Sequence, residues 1–328
     1  MVLIYVDDII VTGNDSRKLQ DFIARLNAMF SLKDLGPLHY FLGIEVHRDE
    51  TGLYLSQAKY IKELLTRTAM LHLKPCSTPM TVGKALSKTD GEALKQPTLY
   101  RSIIGGLQYL THTRPDLSFV VNKLSQYLQA PTTVHWSAAK RVLRYLKGTI
   151  NHGIHIKFSD QLSITGYSDA DWACCPDDRK SIAGYCVYLG DTLVSWSSKK
   201  QAVVSRSSTE SEYRALAHVA AEISWIQALL NEFQFPLQRT PISWCDNMGA
   251  SALAANPVYH ARTKHIELDV HFVRDKVLKK QLEVRYVPSS DQIADCLTKS
   301  LTHHRFHFLT DKLGVVETPL RLRGSVKK

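Results

Sequence analysis
"LSITGYSDADWA", residues 162–173, decides how this chain is read. It has the short, turn-bounded look of a β-strand, yet Asp169 sits in its middle beside Tyr167, with Asp171 two residues on. A carboxylate inside a strand is costly to bury unless something neutralises it. Two further short strands follow, "SIAGYCVYLG" (181–190) and "TLVSWSSKK" (192–200). Then come a long helix, "TESEYRALAHVAAEISWIQALLNEF" (209–233), and a strand, "PISWCDN" (241–247). A short helix "GASALAAN" (249–256), a basic helix "HIELDVHFVRDKVLKKQ" (265–281) and a strand "LEVRYVP" (282–288) precede a last helix expected from about Asp291. The order βββ-α-β-α-α-β-α predicts an α/β (α+β) unit, a mixed sheet flanked by helices.

Four acidic residues of this unit stand where solvated charge is uncommon. Asp169 is inside the first strand, and Asp246 ends the apolar "ISWCD". Glu212 has Leu216, Val219 and Ile223 at i+4, i+7 and i+11, which places it on the buried stripe of the long helix. Glu210 is expected on another, solvated face. Asp295 is expected in the first turn of the last helix. Each has a structural explanation: Asp295 a helix N-terminus, Asp246 a turn, Glu212 a lysine partner. Taken together they read differently. Like charges a few ångströms apart repel by several kcal/mol at intermediate dielectric. An all-oxygen set suits Mg²⁺ or Mn²⁺. Two such ions about 4 Å apart hydrolyse phosphodiesters, one activating water and the other stabilising the leaving oxygen.

The chain begins on a second acidic motif. In "LIYVDDIIVTG" (3–13), Asp7 and Asp8 lie within an apolar run that reads as a buried β-hairpin and as half of a metal site. Next is an amphipathic helix, "SRKLQDFIARLNAMF" (16–30), then two strands around Asp-Glu-Thr-Gly in "YFLGIEVHRDETGLYLSQ" (40–57). The helix "AKYIKELLTRTAM" (58–70) leads to a Pro, Thr, Ser and Lys-rich loop over 74–98. Helical segments over 99–112 and 115–129 precede "VHWSAAKRVLRYLKGT" (134–149). Its basic face, Lys140, Arg141, Arg144 and Lys147, is a candidate phosphate contact, with a solvated face as the rival reading.

The 328 residues are 44% hydrophobic and 22% charged, as in globular proteins of two or more domains. A formal net charge of +10 favours an acidic partner, of which nucleic acid is the commonest. Six cysteines without a CxxC pair indicate a reducing compartment. With neither a signal peptide nor a membrane-spanning run in view, a soluble, intracellular protein with no membrane partner is expected.

The order of the four carboxylates resembles the DEDD set of ribonuclease H. "GYSDADWA", "RKSIAGYCVYLG", "LVSWSSKKQAVVSRSSTESEYRALA", "CDNMGA", "RTKHIELDVHFVRD" and "QIADCLTK" are similar to the ribonuclease H domain of copia-type LTR retrotransposon Pol polyproteins. Upstream, "YVDDIIVTG", "LKDLGPLHYFLGIEV", "LSQAKYIKELL", "YRSIIGGLQYLTHTRPDLSFVVNKLSQYL" and "HWSAAKRVLRYLKGT" resemble the reverse transcriptase of the same family.

The resemblance implies three parts. Residues 1–155 would be a truncated reverse transcriptase: palm edge from the YVDD hairpin, thumb and connection. Residues 160–315 would be the ribonuclease H domain, and 316–328 a basic tail. Asp7 and Asp8 would be the paired palm aspartates of a remnant polymerase site. Its third carboxylate and its fingers precede the hairpin in the family, so polymerisation is expected to be absent. "FLGIEV" would be the primer-grip strand. Asp169, Glu212, Asp246 and Asp295 would bind two Mg²⁺ or Mn²⁺ ions, with Asp169 bridging them.

The same resemblance assigns contacts to an RNA–DNA hybrid. Ser207, Ser208, Thr209 and Asn247 would read its minor groove and 2′-hydroxyls; Ser208 or Thr209 could cap the helix as well, since the two roles can coexist. Lys264, His265 and Arg274 would face phosphate or pack. His260, His265 and His271 lack the cysteine pair that would complete a zinc site. The loop "VPSSDQ" (287–292) carries no histidine, which argues against histidine-assisted product release. The function implied is a hybrid endonuclease in a cytoplasmic virus-like particle or the nucleus, with other retroelement proteins as further partners. The rivals are a catalytically silent nucleic-acid-binding remnant and a decayed copy whose severed palm exposes strand edges.

Overall fold
Strand alternation and turn chemistry fold the chain into two five-stranded sheets and one isolated hairpin in a computed structural model, which describes residues 1–30, 32–83, 85–159, 162–255 and 266–319. The hairpin consists of β1 (Val2–Tyr5) and β2 (Asp8–Val11), followed by α1 (Ser16–Phe30). It is not buried as expected: Ile4 and Val6 are 67% and 81% exposed. The two strands pair only with each other, and two strands cover little of their own surface. Only Ile9, Ile10 and Val11 are half-buried, beside α1 and residues 32–41.

The first large sheet begins with β3 (Tyr40–Phe41) and β4 (Ile44–Asp49). Leu42 and Gly43 join them with φ of 45° and 74°, the mirror-image turn that matches strand twist. A Cβ at Gly43 would collide with the Tyr109 hydroxyl, which donates to the Leu42 carbonyl. β5 (Gly52–Ser56) and α2 (Ala58–Arg67) follow. Next are α3 (Pro97–Leu110), a 3-10 turn (Pro115–Leu117), α4 (Ser118–Ser125), α5 (Thr133–Gly148) and β6 (His152–Lys157). Three of the four basic side chains of α5 hold the 73–78 segment while staying half-buried. Arg141 donates to Thr78 Oγ1 (2.8 Å), Arg144 to the Lys74 carbonyl (2.8 Å) and Lys147 to the Leu73 carbonyl (2.6 Å).

The second sheet meets the sequence-based expectation. β7 (Ile164–Asp171), β8 (Ile182–Leu189) and β9 (Thr192–Lys200) are antiparallel. α6 (Ser208–Glu232), β10 (Ile242–Cys245), α7 (Met248–Ala255), α8 (Glu267–Leu278) and β11 (Glu283–Tyr286) follow. β10 runs parallel to both β7 and β11, giving the mixed order β11-β10-β7-β8-β9. On one face, Tyr213, Leu216, Val219 and Ile223 of α6 pack with Ile164, Val187 and Cys245. On the other, Cys186, Tyr188 and Leu193 join a core built from α2–α5.

The expected last helix from Asp291 is instead two 3-10 turns, Ser289–Asp291 and Ile293–Leu297, and then α9 (His303–Lys312). Gln292 breaks the helical path with extended backbone between the turns, and its side chain accepts from the Ala294 N–H. Asp295 therefore lies in a 3-10 turn. Gly184 of β8 makes room for it, because a Cβ there would come within 2.8 Å of both Leu297 and Thr298. β12 (Val315–Glu317) pairs with β6 and completes the first sheet as β12-β6-β5-β4-β3. β3, β6 and β12 were not foreseen from sequence. Among the described residues, no helix is long and apolar enough to cross a membrane.

Candidate active site
Asp169, Asp246 and Asp295 each offer a carboxylate oxygen, all within 4.8 Å of one another. Glu212, Asp246 and the Cys245 thiol form a second group within the same limit. The topology explains this convergence. β7 and β10 are parallel neighbours, so Asp169 and Asp246 leave the sheet at the same end. α6 packs across β7 and brings Glu212 to that end, and the 3-10 turn on β8 brings Asp295. Asp246 is common to both groups.

Each carboxylate is held differently. Asp169 is 2% exposed, accepts from the Thr298 hydroxyl and lies 3.3 Å from Lys299 Nζ. Burial pushes its pKa up to about 6, with Lys299 opposing and Asp295 adding to the rise. Glu212 is pushed further, to about 9, chiefly by burial and then by the charges of Asp169 and Asp246. Its Oε2 is buried without a hydrogen-bond partner. Asp246 accepts from Ser289 Oγ (2.9 Å) and Gln292 Nε2 (3.3 Å). Asp295 pairs with Lys299 at 2.8 Å and Arg305 at 3.3 Å. Burial works against the Lys299 charge, but Asp169 and Asp295 hold the ammonium well above its usual range.

Such a cluster needs protons or cations. Lys299 supplies one positive charge at the Asp169–Asp295 side, while the Glu212 oxygen has no partner. An orphaned buried carboxylate oxygen among oxygen donors fits a hard divalent cation.

Asp7 and Asp8 form no comparable cluster. Both are exposed, and among the described residues no third ligand stands with them. The turn that presents them is strained, since Val6 is β-branched and has a φ of 49°. Ser207, Ser208 and Thr209 open α6 on the Glu212 side. The cap is Ser207, whose Oγ accepts from the Glu210 N–H (3.1 Å), one residue earlier than the expected pair. Asn247 caps α7 by accepting from the Ala250 N–H, and Thr209 stands 3.5 Å from the same oxygen. Ser207 and Ser208 remain exposed.

Arg274 takes the packing alternative: it is buried and its Nε donates to the Leu253 carbonyl, tying α8 to α7. One expectation is corrected. Glu210 is not solvated: it accepts from the Arg206 N–H (2.9 Å) and pairs with Arg214 (3.0 Å). A first-turn carboxylate has orphan N–H groups and a helix dipole to meet, which draws it inward. Lys264, with His260 and His265, falls outside the described residues. His271 is exposed beside Glu267.

Ser289, Gln292, Thr298, Lys299 and Arg305 support the site and were not foreseen. The i+3 and i+4 spacing of Thr298 and Lys299 after Asp295 was an available signal. For Arg305 the sequence carried none.

Comparison with known proteins places the chain. The family model for "Reverse transcriptase (RNA-dependent DNA polymerase)" matches residues 1–82. The chain is 52% identical over 326 residues to the retrovirus-related Pol polyprotein from transposon RE2 of Arabidopsis thaliana, covering 99% of this chain and 22% of that polyprotein. It is 48% identical to an uncharacterized mitochondrial protein of the same plant, over 69% of this chain and 94% of that protein. A solved foamy viral protease–reverse transcriptase in complex with RNA/DNA hybrid is similar over 92% of this chain and 37% of that one, at 11% identity and a TM-score of 0.49. On the strength of its sequence relatives, this chain belongs to the copia-type, retrovirus-related Pol polyproteins of transposons.

Proposed function
We propose that residues 160–315 act as an RNA–DNA hybrid endonuclease of the ribonuclease H class, and that residues 1–155 derive from a reverse transcriptase. The observation that carries this reading is the unpartnered, buried Glu212 oxygen inside a four-carboxylate cluster. Asp169, Glu212, Asp246 and Asp295 would hold two Mg²⁺ or Mn²⁺ ions. When bound, such ions supply Lewis acidity and an activated water for phosphodiester hydrolysis. The chain's own residues do the positioning. Thr298 and Lys299 orient Asp169, Ser289 and Gln292 orient Asp246, and Lys299 and Arg305 flank Asp295. Ser207, Ser208 and Thr209, at the opening of α6, and Asn247, next to Asp246, would meet the 2′-hydroxyls of the RNA strand. Asp7 and Asp8, without a third ligand among the described residues, would not polymerise DNA.

The deciding experiment is cleavage of a labelled RNA–DNA hybrid by the purified chain, with and without Mg²⁺. Metal-dependent cutting of the RNA strand alone is expected. Affinity for the hybrid should also fall with salt, by roughly 0.9 log units per log unit of salt for each phosphate contacted if the duplex behaves as B-DNA does. A second reading, a silent hybrid-binding protein, is favoured by one observation: Lys299 already pairs with both Asp169 and Asp295. Tight hybrid binding with no cleavage in either Mg²⁺ or Mn²⁺ would select it.

A further inference from the structure
Arg305 projects from α9 toward the segment that carries Asp295. Its Nη1 donates to the Ser290 carbonyl. Its Nη2 reaches the Ser289 carbonyl at 2.8 Å, the Gln292 carbonyl at 3.3 Å and Asp295 Oδ2 at 3.3 Å. One guanidinium thus ties together three main-chain carbonyls and a carboxylate across two successive 3-10 turns. Short 3-10 turns leave carbonyls without helical partners, and a planar fork with five donors is the side chain that can collect several at once. We propose that Arg305 is a positioning residue of the nuclease centre, holding the 289–295 segment so that Asp246 and Asp295 keep their metal-binding places. This inference rests on the nuclease reading above.

The reach to Asp246 is indirect but explicit. Ser289 Oγ and Gln292 Nε2 both donate to Asp246, and Arg305 fixes the main chain of both residues. Two of the four carboxylates therefore depend on one clamp. Its other end is firmly planted. Phe306, Leu309, Leu313 and Val315 are buried in the core that α3, α4 and α5 also build. The guanidinium lies 5.6 Å from the centre of the Phe308 ring. Lys299 meets the same Asp295 from just beyond that carboxylate's own turn and ties it to Asp169 of β7, within the carboxylate cluster. Arg305 anchors it to an element rooted in the first half of the chain.

The test uses the full chain as wild type, Arg305→Ala, Arg305→Lys and Asp295→Asn. Three quantities are measured: Mn²⁺ affinity by calorimetry, the unfolding midpoint in EDTA, and kcat and KM on a labelled hybrid. Outer groups that orient metal ligands typically matter by roughly 10- to 100-fold in affinity. Arg305→Ala should weaken Mn²⁺ binding by about that factor and lower kcat with KM for the hybrid little changed. The metal-free midpoint should stay close to wild type, which a purely structural role would not allow. Arg305→Lys should recover only part of the loss, because an ammonium cannot span four acceptors. Wild-type Mn²⁺ affinity in Arg305→Ala overturns the proposal. Should Arg305→Ala fail to fold, wild-type affinity in Arg305→Lys overturns it instead. Mn²⁺ binding that is lost in Asp295→Asn, in a wild-type chain that cuts no hybrid, sinks the nuclease reading and leaves the Arg305 comparison readable. Absence of any such binding overturns both.

Discussion

Asp7 and Asp8 are neighbours in sequence and stand on an exposed turn; Asp169, Glu212, Asp246 and Asp295 come from four distant elements and meet in a buried corner. Along the chain, the adjacent pair has the stronger appearance of a metal site. In the folded protein, the four dispersed carboxylates have it instead. Water solvates the hairpin pair, so its charges need no other partner. At the sheet end burial makes charge costly, as the raised values of Asp169 and Glu212 record. A divalent ion placed there would relieve both desolvation and mutual repulsion.

The largest effect should follow from removing charge at the buried corner. Asp169→Asn and Glu212→Gln keep the shape and delete a ligand charge. Bound metals contribute several kcal/mol to such reactions, and each 1.4 kcal/mol or so is tenfold in rate. Hybrid cleavage should therefore fall by about 10²- to 10³-fold in single-turnover assays. Full activity in Asp169→Asn would move the essential ligand to Asp171, the next residue on that face of β7, or end the metal reading.

The next effect is on stability. The raised values of Asp169 (about 6) and Glu212 (about 9) mean that the folded chain favours their protonated forms. That contribution is complete below the unfolded values, near 4, and is lost as pH rises through the folded ones. In EDTA the unfolding midpoint of wild type should drop relative to Glu212→Gln as pH rises from about 4 to about 9. Added Mn²⁺ should reverse the drop, most strongly at the alkaline end. A wild-type-minus-variant difference that is flat with pH would mean Glu212 is not buried in the cluster.

How much of this was legible in the sequence depends on the range of the interaction. The βββ-α-β-α-α-β order and the positions of all four carboxylates are local signals, strand runs and one helical stripe. Their convergence follows once the sheet is ordered. β3 and β12 are too short to show a period, and β12 is defined only by pairing with β6, far back in the chain. Arg305 lies beyond any local rule, because its partners are fixed by how α9 packs. The buried-hairpin reading failed for the opposite reason. An apolar run reports a preference for burial, and among the described residues this hairpin pairs with no further strand; α1 and the segment after it border one cavity beside it.

A smaller effect tests the helix opening of α6. Glu210 lies two residues from Glu212 but serves the helix, through the Arg206 N–H and Arg214. Glu210→Gln weakens a capping bond and an ion pair with a side chain only 11% exposed. A loss of about 1 kcal/mol in stability is expected, with cleavage close to wild type. Equal activity losses at Glu210 and Glu212 would mean that both belong to the metal centre.

The smallest effect should be at the hairpin. Asp7→Asn alters an exposed turn residue with no third ligand nearby among the described residues. Asparagine suits turns as well as aspartate does. Surface changes of this kind usually shift stability by less than about 0.5 kcal/mol. Hybrid cleavage, stability and metal affinity should all match wild type in Asp7→Asn, and wild type itself should extend no primer. Template-dependent extension that disappears in Asp7→Asn would reverse the contrast between the two sites. It would show that an exposed pair of aspartates can gather its metal and its third ligand only when nucleic acid is bound, so that burial in the free protein is not a requirement for a metal centre in this chain.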